Sequence, residues 1–359
     1  MAKWKSKPGS EHHPGKSNKP FEIPQDMDAI DHMFVPPFQK GDIVGKGKYE
    51  IVSTTVNAGG FGRIYRAISS KHNSTKKYAE KEFFVETARG NTTSPSTMGV
   101  YTRKGTTDKF DRLRCQFFIE AKLLGLVWYG GIGRRHIPKI FGLPYEEGGR
   151  IFYVMEYIEG ATIIEEVLNW GPMLEKRAIS LIMQICKILF SAHNIGLVHS
   201  DISPNNIILR NGNTAVLVDF GNARSYDEEL TQTTMDDRTR RGFSPYQETL
   251  DRVSEQTPDL TEENQEAIDS IGTPFFQAPD KFKGQPEGDV YSLACTLFFM
   301  LTGQMSKPGM DPHRALSAFG ISWPTAEAIH KAMRLRYPSN SNAVGYFLQD
   351  LTGIPFEKL

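Results

Sequence analysis

The chain has 359 residues, 39% hydrophobic and 23% charged, which is too apolar for a wholly disordered chain and too long for one small domain. Lys and Arg together number 42, as do Asp and Glu, so no global bias toward nucleic acid or an anionic membrane exists. Three scattered cysteines, Cys115, Cys186 and Cys295, lack metal-ligand spacing; neither a disulfide scaffold nor a cysteine zinc site is expected, and a reducing, cytoplasmic setting is.

Residues 1–44 differ in composition from the rest. Lys, Pro, Gly, Ser and His dominate as far as Pro20, which predicts a flexible, basic tail. The lysines at its start have no apolar segment behind them, so no secretory signal is expected. The purest apolar run, Leu293 to Leu301, is nine residues, well short of the roughly 20 that a membrane-crossing helix needs. No internal repeat is visible, which argues against a solenoid or propeller.

From Tyr49 the pattern is β-like. Ile51 to Val56 runs into a Gly-rich turn and Ile64-Tyr65 leads out of it, predicting a hairpin. Tyr78 to Phe84 is a third strand candidate, 86–108 reads as a long loop, and Phe110 to Leu126 has helical spacing with Leu113, Phe117, Glu120, Ala121 and Leu124 on neighbouring turns. Ile151 to Tyr157 predicts another short strand. Farther on, Ala178 to His193 predicts an apolar helix. Asn206–Leu209 and Ala215–Val218 predict a strand pair, and Asp289 to Leu301 a buried helix. Strands first and helices later predict an α+β fold of two unequal parts. These are a β-rich unit over 45–157 and an α-rich unit over 158–359.

The densest chemistry lies in His199-Ser200-Asp201-Ile202-Ser203-Pro204-Asn205-Asn206, followed through the strand pair by Asp219-Phe220-Gly221. Asn206 and Asp219 can face one another across the hairpin as hard oxygen ligands suited to Mg²⁺, with Asp201 as a separate carboxylate able to orient a hydroxyl. Upstream, Asn57-Ala58-Gly59-Gly60-Phe61-Gly62-Arg63-Ile64 is a glycine-rich turn whose backbone can close over phosphates. Lys81 follows in Tyr78-Ala79-Glu80-Lys81, and Glu120 stands mid-helix beyond the loop. Glu80 is expected to be a solvated strand residue. Downstream come Gly272-Thr273-Pro274-Phe275-Phe276-Gln277-Ala278-Pro279-Asp280, then Asp289-Val290-Tyr291-Ser292-Leu293 and Arg336-Tyr337-Pro338-Ser339.

Taken in order, these segments resemble the eukaryotic-type (Hanks-type) serine/threonine protein kinases from about Tyr49 to Leu351. The resemblance implies a two-lobed kinase fold, with ATP and Mg²⁺ as cofactors and protein substrates as partners. By that resemblance Asp201 is the catalytic carboxylate, Lys81 and Glu120 form the phosphate-positioning pair, and Asn206 and Asp219 hold metal. Gly59, Gly60 and Gly62 would cover the phosphates, while Ile64, Ala79 and Ile208 would sandwich the adenine. Met155 would be the gatekeeper before a hinge of Glu156, Tyr157 and Ile158. His199 would pack beneath Phe220, Asp289 would anchor the catalytic loop, and Arg336 would pair with Asp280.

The chain departs from the family pattern at Asn57, which replaces the first glycine, and at Ser200 and Ser203, which replace an arginine and a lysine of the catalytic loop. Serine supplies no positive charge to a transferring phosphate, so that charge would rest on Mg²⁺ and Lys81. The activation segment, 219–280, is unusually long and holds a second near-match around Glu248; Asp280 lies far closer to Asp289 and is the better end point. With Ser200 in the arginine's place, activity is expected not to require phosphorylation of Thr231, Thr233, Thr234 or Thr239. The serine/threonine form of Gly272-Thr273-Pro274 implies a hydroxyl on a protein as acceptor. A pseudokinase scaffold and a small-molecule kinase are the alternatives. The substrate, the oligomeric state and the role of the tail are not legible.

Overall fold

The computed structural model describes residues 37–59, 62–70, 76–83, 117–118, 120–128, 134–147, 150–226, 275–307 and 309–354. The expected loop at 86–108, most of the basic tail, Gly60 and the bulk of the activation segment, including Gly272-Thr273-Pro274 and the four threonines, lie outside them.

The first part of the chain builds an antiparallel sheet of six strands: β1 (Ile43–Val44), β2 (Tyr49–Gly59), β3 (Gly62–Ser69), β4 (Lys77–Phe83), β5 (Tyr145–Glu147) and β6 (Arg150–Glu156), ordered β1-β2-β3-β4-β6-β5. The expected hairpin is present, with Gly59 opposite Gly62 at its tip. Residues 117–118 and 120–128 form helix α1. Phe117 packs against Phe83 and Tyr153, with ring centroids 5.5 and 5.0 Å apart, which fixes α1 on one face of the sheet. Because strand side chains alternate, Ala79, Lys81 and Phe83 share that face of β4. Glu80 and Glu82 point to the opposite one.

After β7 (Gly160–Thr162) the chain becomes helical. Helix α2 (Ile163–Trp170) starts at a reciprocal capping box between Thr162 and Glu165, and α3 (Glu175–His193) buries Leu181, Ile182, Ile185, Ile188 and Leu189. A small sheet then joins β7 to β9 (Ile207–Arg210) and β10 (Thr214–Leu217). The short β8 (Leu197–Val198) pairs with β11 (Arg224–Ser225), tying the segment before His199 to the one after Phe220. Helix α4 (Pro286–Thr302) is buried along its whole length, as expected of a helix that is apolar on every side. It packs against α3 and against α6 (Trp323–Met333); α5 (Pro312–Ala318) and α7 (Ala343–Thr352) complete the layer. Among the described residues no helix is long and apolar enough to cross a membrane.

Two expectations fail here. Glu80 is fully buried, because β4 is an interior strand covered on both faces. Arg336 is exposed and Asp280 is held by Lys283 at 2.8 Å with its side chain 93% exposed, so the anticipated Arg336–Asp280 pair does not form. The aspartate carboxylate is one methylene shorter than the glutamate usual at this place, and a local partner three residues on satisfies it.

Candidate active site

Sheet register decides where Lys81 goes. It lies opposite Ile64 on β3 and Tyr153 on β6, so its side chain meets α1. Its ammonium is 2.5 Å from Glu120 Oε1 and 3.0 Å from Asp219 Oδ1. Tyr153 donates its hydroxyl to the same Glu120 oxygen at 2.8 Å. Burial alone would depress the lysine, but the carboxylates of Asp219 and Glu120 outweigh it and hold Lys81 charged, above its ordinary range. Burial works against the Asp219 carboxylate too, and the Lys81 ammonium overcomes it and keeps Asp219 ionised, below the usual range. Lys81 is nearly inaccessible while the Asp219 side chain is 44% exposed, so the charged chain runs from the interior out to an open edge.

Gly62 is required by close packing. A Cβ there would lie 2.9 Å from the Glu82 carbonyl and 3.0 Å from Lys81 Cε, so a side chain would push the lysine off its partners. At this position the glycine accommodates Lys81 itself. Gly59 closes β2 beside it.

The loop from His199 to Asn206 hangs from one buried carboxylate. Asp289, in the first turn of α4, accepts the backbone N–H groups of His199 and Ser200, each at 2.8 Å, and lies 2.9 Å from His193 Nε2. The His199 ring meets Phe220 edge to face at 4.7 Å, and burial holds the imidazole below its ordinary pKa, hence neutral. Both Ser200 (φ 64°) and Asp219 (φ 62°) adopt the left-handed conformation, which costs on the order of 1 kcal/mol for a residue with a Cβ. The Asp289 network and the Lys81 ion pair hold these two turns in place. Asn206 donates its amide to Asp201, at 2.8 Å to the backbone oxygen and 3.0 Å to the carboxylate. That commits its nitrogen and leaves the amide oxygen available to a metal ion. Asp201 and Asn206 are thus brought together on one loop, and Asp219 follows on the strand pair β9–β10.

The apolar candidates fall on the elements expected. Ala79 and Met155 are register partners, both buried, with Ile64 partly buried against the same core. Ile208 is partly exposed on β9 and Ile158 is buried just after β6. The Glu156 carboxylate is spoken for: it pairs with Arg210 at 2.9 Å and accepts the Lys139 N–H at 3.3 Å. Any contact of Glu156 with a nucleotide would therefore run through its backbone carbonyl. The Oγ atoms of Ser200 and Ser203 are buried and make no hydrogen bond.

Sequence reasoning missed Tyr153, His193 and Arg210. Tyr153 could have been found by pairing the two strands so that Lys81 faces an aromatic hydroxyl. His193 is the last residue of α3, and nothing in the linear sequence joins it to Asp289. Arg210 similarly meets Glu156 only through folding. The chemistry of the set suits a magnesium nucleotide: hard oxygens at Asn206 and Asp219, and an ammonium held charged beside them.

Residues 133–245 match the protein kinase domain family. Among similar proteins, the serine/threonine-protein kinase PknB of Mycobacterium tuberculosis is 31% identical over 164 residues, covering 45% of this chain and 21% of the relative. PknB of Mycolicibacterium smegmatis is 29% identical over the same length. PknH of Mycobacterium bovis is 30% identical over 177 residues, 48% of this chain and 23% of the relative. The chain thus spans about a fifth of the length of these relatives. The matched region holds Asp201, Asn206 and Asp219; Lys81 and Glu120 lie before it and reach the site through the sheet.

Proposed function

We propose that this chain, whose residues 133–245 match the protein kinase domain family and which is similar to serine/threonine-protein kinases over 45–48% of its length, transfers the γ-phosphoryl group of ATP to serine or threonine hydroxyls of protein substrates. The observation that carries the reading is the Lys81 ammonium held between Glu120 and Asp219, 2.5 and 3.0 Å away, next to a loop in which Asn206 fixes Asp201.

Residues 45–157 are read as the small lobe and 158–359 as the large one, with 219–280 as the activation segment; the order of the sheet, α1 and the later helices supports this division, except that the end of the tail read over 1–44 joins the sheet through β1 (Ile43–Val44) and packs on it through Phe38. Lys81 offers a fixed positive charge to phosphate oxygens, and Glu120 and Tyr153 prevent it from swinging away. Gly59 and Gly62 would cover those phosphates with their backbone, together with Gly60 between them in the sequence. Asp201 accepts a hydrogen bond from the acceptor hydroxyl and takes its proton as the oxygen bonds phosphorus and the ATP β–γ bridge breaks. Asn206 and Asp219 would hold Mg²⁺. Magnesium-bound ATP, when present, supplies the phosphoryl group and neutralises its developing charge. Ala79, Ile64 and Ile208 would line the adenine, with Glu156 and Ile158 contributing backbone. Cys186 and Cys295 are buried and unbridged, which supports a reducing compartment such as the cytoplasm.

Incubation with radiolabelled ATP and Mg²⁺, followed by phosphopeptide mapping of the chain and of a generic acceptor protein, tests the reading. Wild-type chain is expected to yield phosphoserine or phosphothreonine and Asp201→Asn none. Equal incorporation by both would overturn the assignment. A scaffold role without transfer is favoured by one observation: Ser203 is fully buried, so no side-chain charge replaces the family's lysine. Nucleotide binding without incorporation would select that role.

A further inference from the structure

We propose a second cation site, for a zinc-class divalent ion, formed by Asp311, His313 and His330 with Glu327. It lies on α5 and α6, which contribute no residue to the site described above. One ligand atom from each of Asp311, His313 and His330 falls within 4.8 Å of the others. Asp311 Oδ1 and His330 Nδ1 are 3.4 Å apart. Zinc bonds of roughly 2.0–2.2 Å to nitrogen and oxygen imply tetrahedral ligand–ligand edges of about 3.3–3.5 Å, so this edge already has the required length. The two imidazole centroids are 4.9 Å apart.

The set is prearranged by its own secondary structure. Asp311 caps α5, accepting the His313 N–H at 3.0 Å, and this fixes its carboxylate beside the first turn. Glu327 and His330 are three residues apart on α6 and so share one face of it. The Glu327 carboxylate lies 3.1 Å from His313 Nε2, where it can orient that ring or complete the coordination. His330 Nδ1 is shielded from water and makes no well-aligned hydrogen bond. A buried ring nitrogen in that state is satisfied either by a proton shared with Asp311 or by a metal. Two imidazoles and the Asp311 carboxylate, with Glu327 against the His313 ring, are a donor set suited to zinc rather than to magnesium or calcium, which take oxygen. Asp311 is 61% exposed, which leaves an entry path. Bound zinc would clip the start of α5 to the end of α6.

Trp323 provides a reporter, since its ring stacks on His313 at 4.7 Å. The full chain, stripped with chelator and kept in excess Mg²⁺, would be titrated with Zn²⁺ while indole emission and thermal midpoint are followed. Co²⁺ would then serve as an absorbing substitute. The expected result is one equivalent bound, a midpoint that rises with free zinc, and cobalt bands of tetrahedral intensity. Asp311→Asn and His330→Gln should each abolish all three, with phosphate transfer in the absence of zinc unchanged as proof of folding. If His330→Gln fails to fold, the exposed Asp311→Asn decides alone. Glu327→Gln should weaken binding by about 10–100-fold. A chain lacking His12 and His13 should bind as the wild type does. No zinc response, a response that survives Asp311→Asn, or one that disappears with His12 and His13 would overturn the site.

Discussion

The two faces of strand β4 carry charge for opposite ends. On one face Lys81 meets Glu120 and Asp219, and the last of these is open to solvent. On the other, Glu82 is fully buried and gripped bidentately by Arg150 at 2.6 and 2.7 Å, with Tyr65 donating its hydroxyl at 2.6 Å. Phe38 lies over the Arg150 guanidinium at 3.8 Å and closes that network from outside. Glu80 beside it accepts the Tyr145 hydroxyl, and its second oxygen is buried with no hydrogen bond. Both faces hold buried charge, so burial of charge does not by itself mark a catalytic group. What separates them is an exit. The Lys81 chain ends at an accessible carboxylate beside Asp201 and Asn206, whereas the Glu82 cluster is closed on every side by protein.

That contrast can be broken most forcefully from the closed face. Arg150→Ala strips Glu82 of its bidentate counter-ion and leaves only the buried Arg63 guanidinium at 4.0 Å, and removing one partner of a buried pair costs up to about 3–5 kcal/mol. Denaturant unfolding should register that loss while phosphate transfer per folded molecule stays near wild type. A large fall in turnover with unchanged stability would mean that the closed face also serves the site.

The next effect is pH-dependent. Burial, with Glu147 and Glu82 nearby and only partly offset by Tyr145, pushes Glu80 up to about 7 from an ordinary 4.5. The folded chain therefore holds this proton more tightly than the unfolded one. Stability is greatest below about pH 4.5 as far as Glu80 is concerned and is lost as pH rises toward 7, by about 3 kcal/mol. Glu80→Gln, which keeps an acceptor for Tyr145, should flatten that slope. Parallel unfolding curves for wild type and variant between pH 5 and 8 would refute the assignment.

Glu120→Gln gives the smallest effect. It keeps a hydrogen bond to Lys81 but removes the charge, worth about 1.5–3 kcal/mol for a bond between ionised groups. Transfer should fall by about 10–100-fold. Unaltered turnover and ATP affinity would mean that α1 does not position Lys81.

Much of this was legible in the linear chain. The hairpin and the helices read over 178–193 and 289–301, observed over 175–193 and 286–302, follow from periodicity, and the meeting of Lys81 with Glu120 follows from the order of the motifs in the resemblance. His199 under Phe220 and Asp289 beneath the loop follow from the resemblance. What was hidden depends on depth. Period-2 alternation says that Glu80 and Lys81 face opposite ways, but not that helix covers one side while Phe38, Tyr145 and Arg150 cover the other. A glutamate flanking an ion-pairing lysine therefore reads as solvated until both covers are seen. The Asp280 pairing failed for a related reason: a residue type carried over from a motif does not carry its partner's reach.

The most direct test compares Lys81→Ala with Arg150→Ala for phosphate transfer, each rate normalised to the folded fraction. The two faces predict opposite results. Lys81→Ala should lose about 100–1,000-fold in turnover, the scale for removing one fixed charge at a transition state, and Arg150→Ala should lose almost none. Equal losses in the two variants, or full turnover in Lys81→Ala, would contradict the division of labour across β4 and with it the assignment of the site.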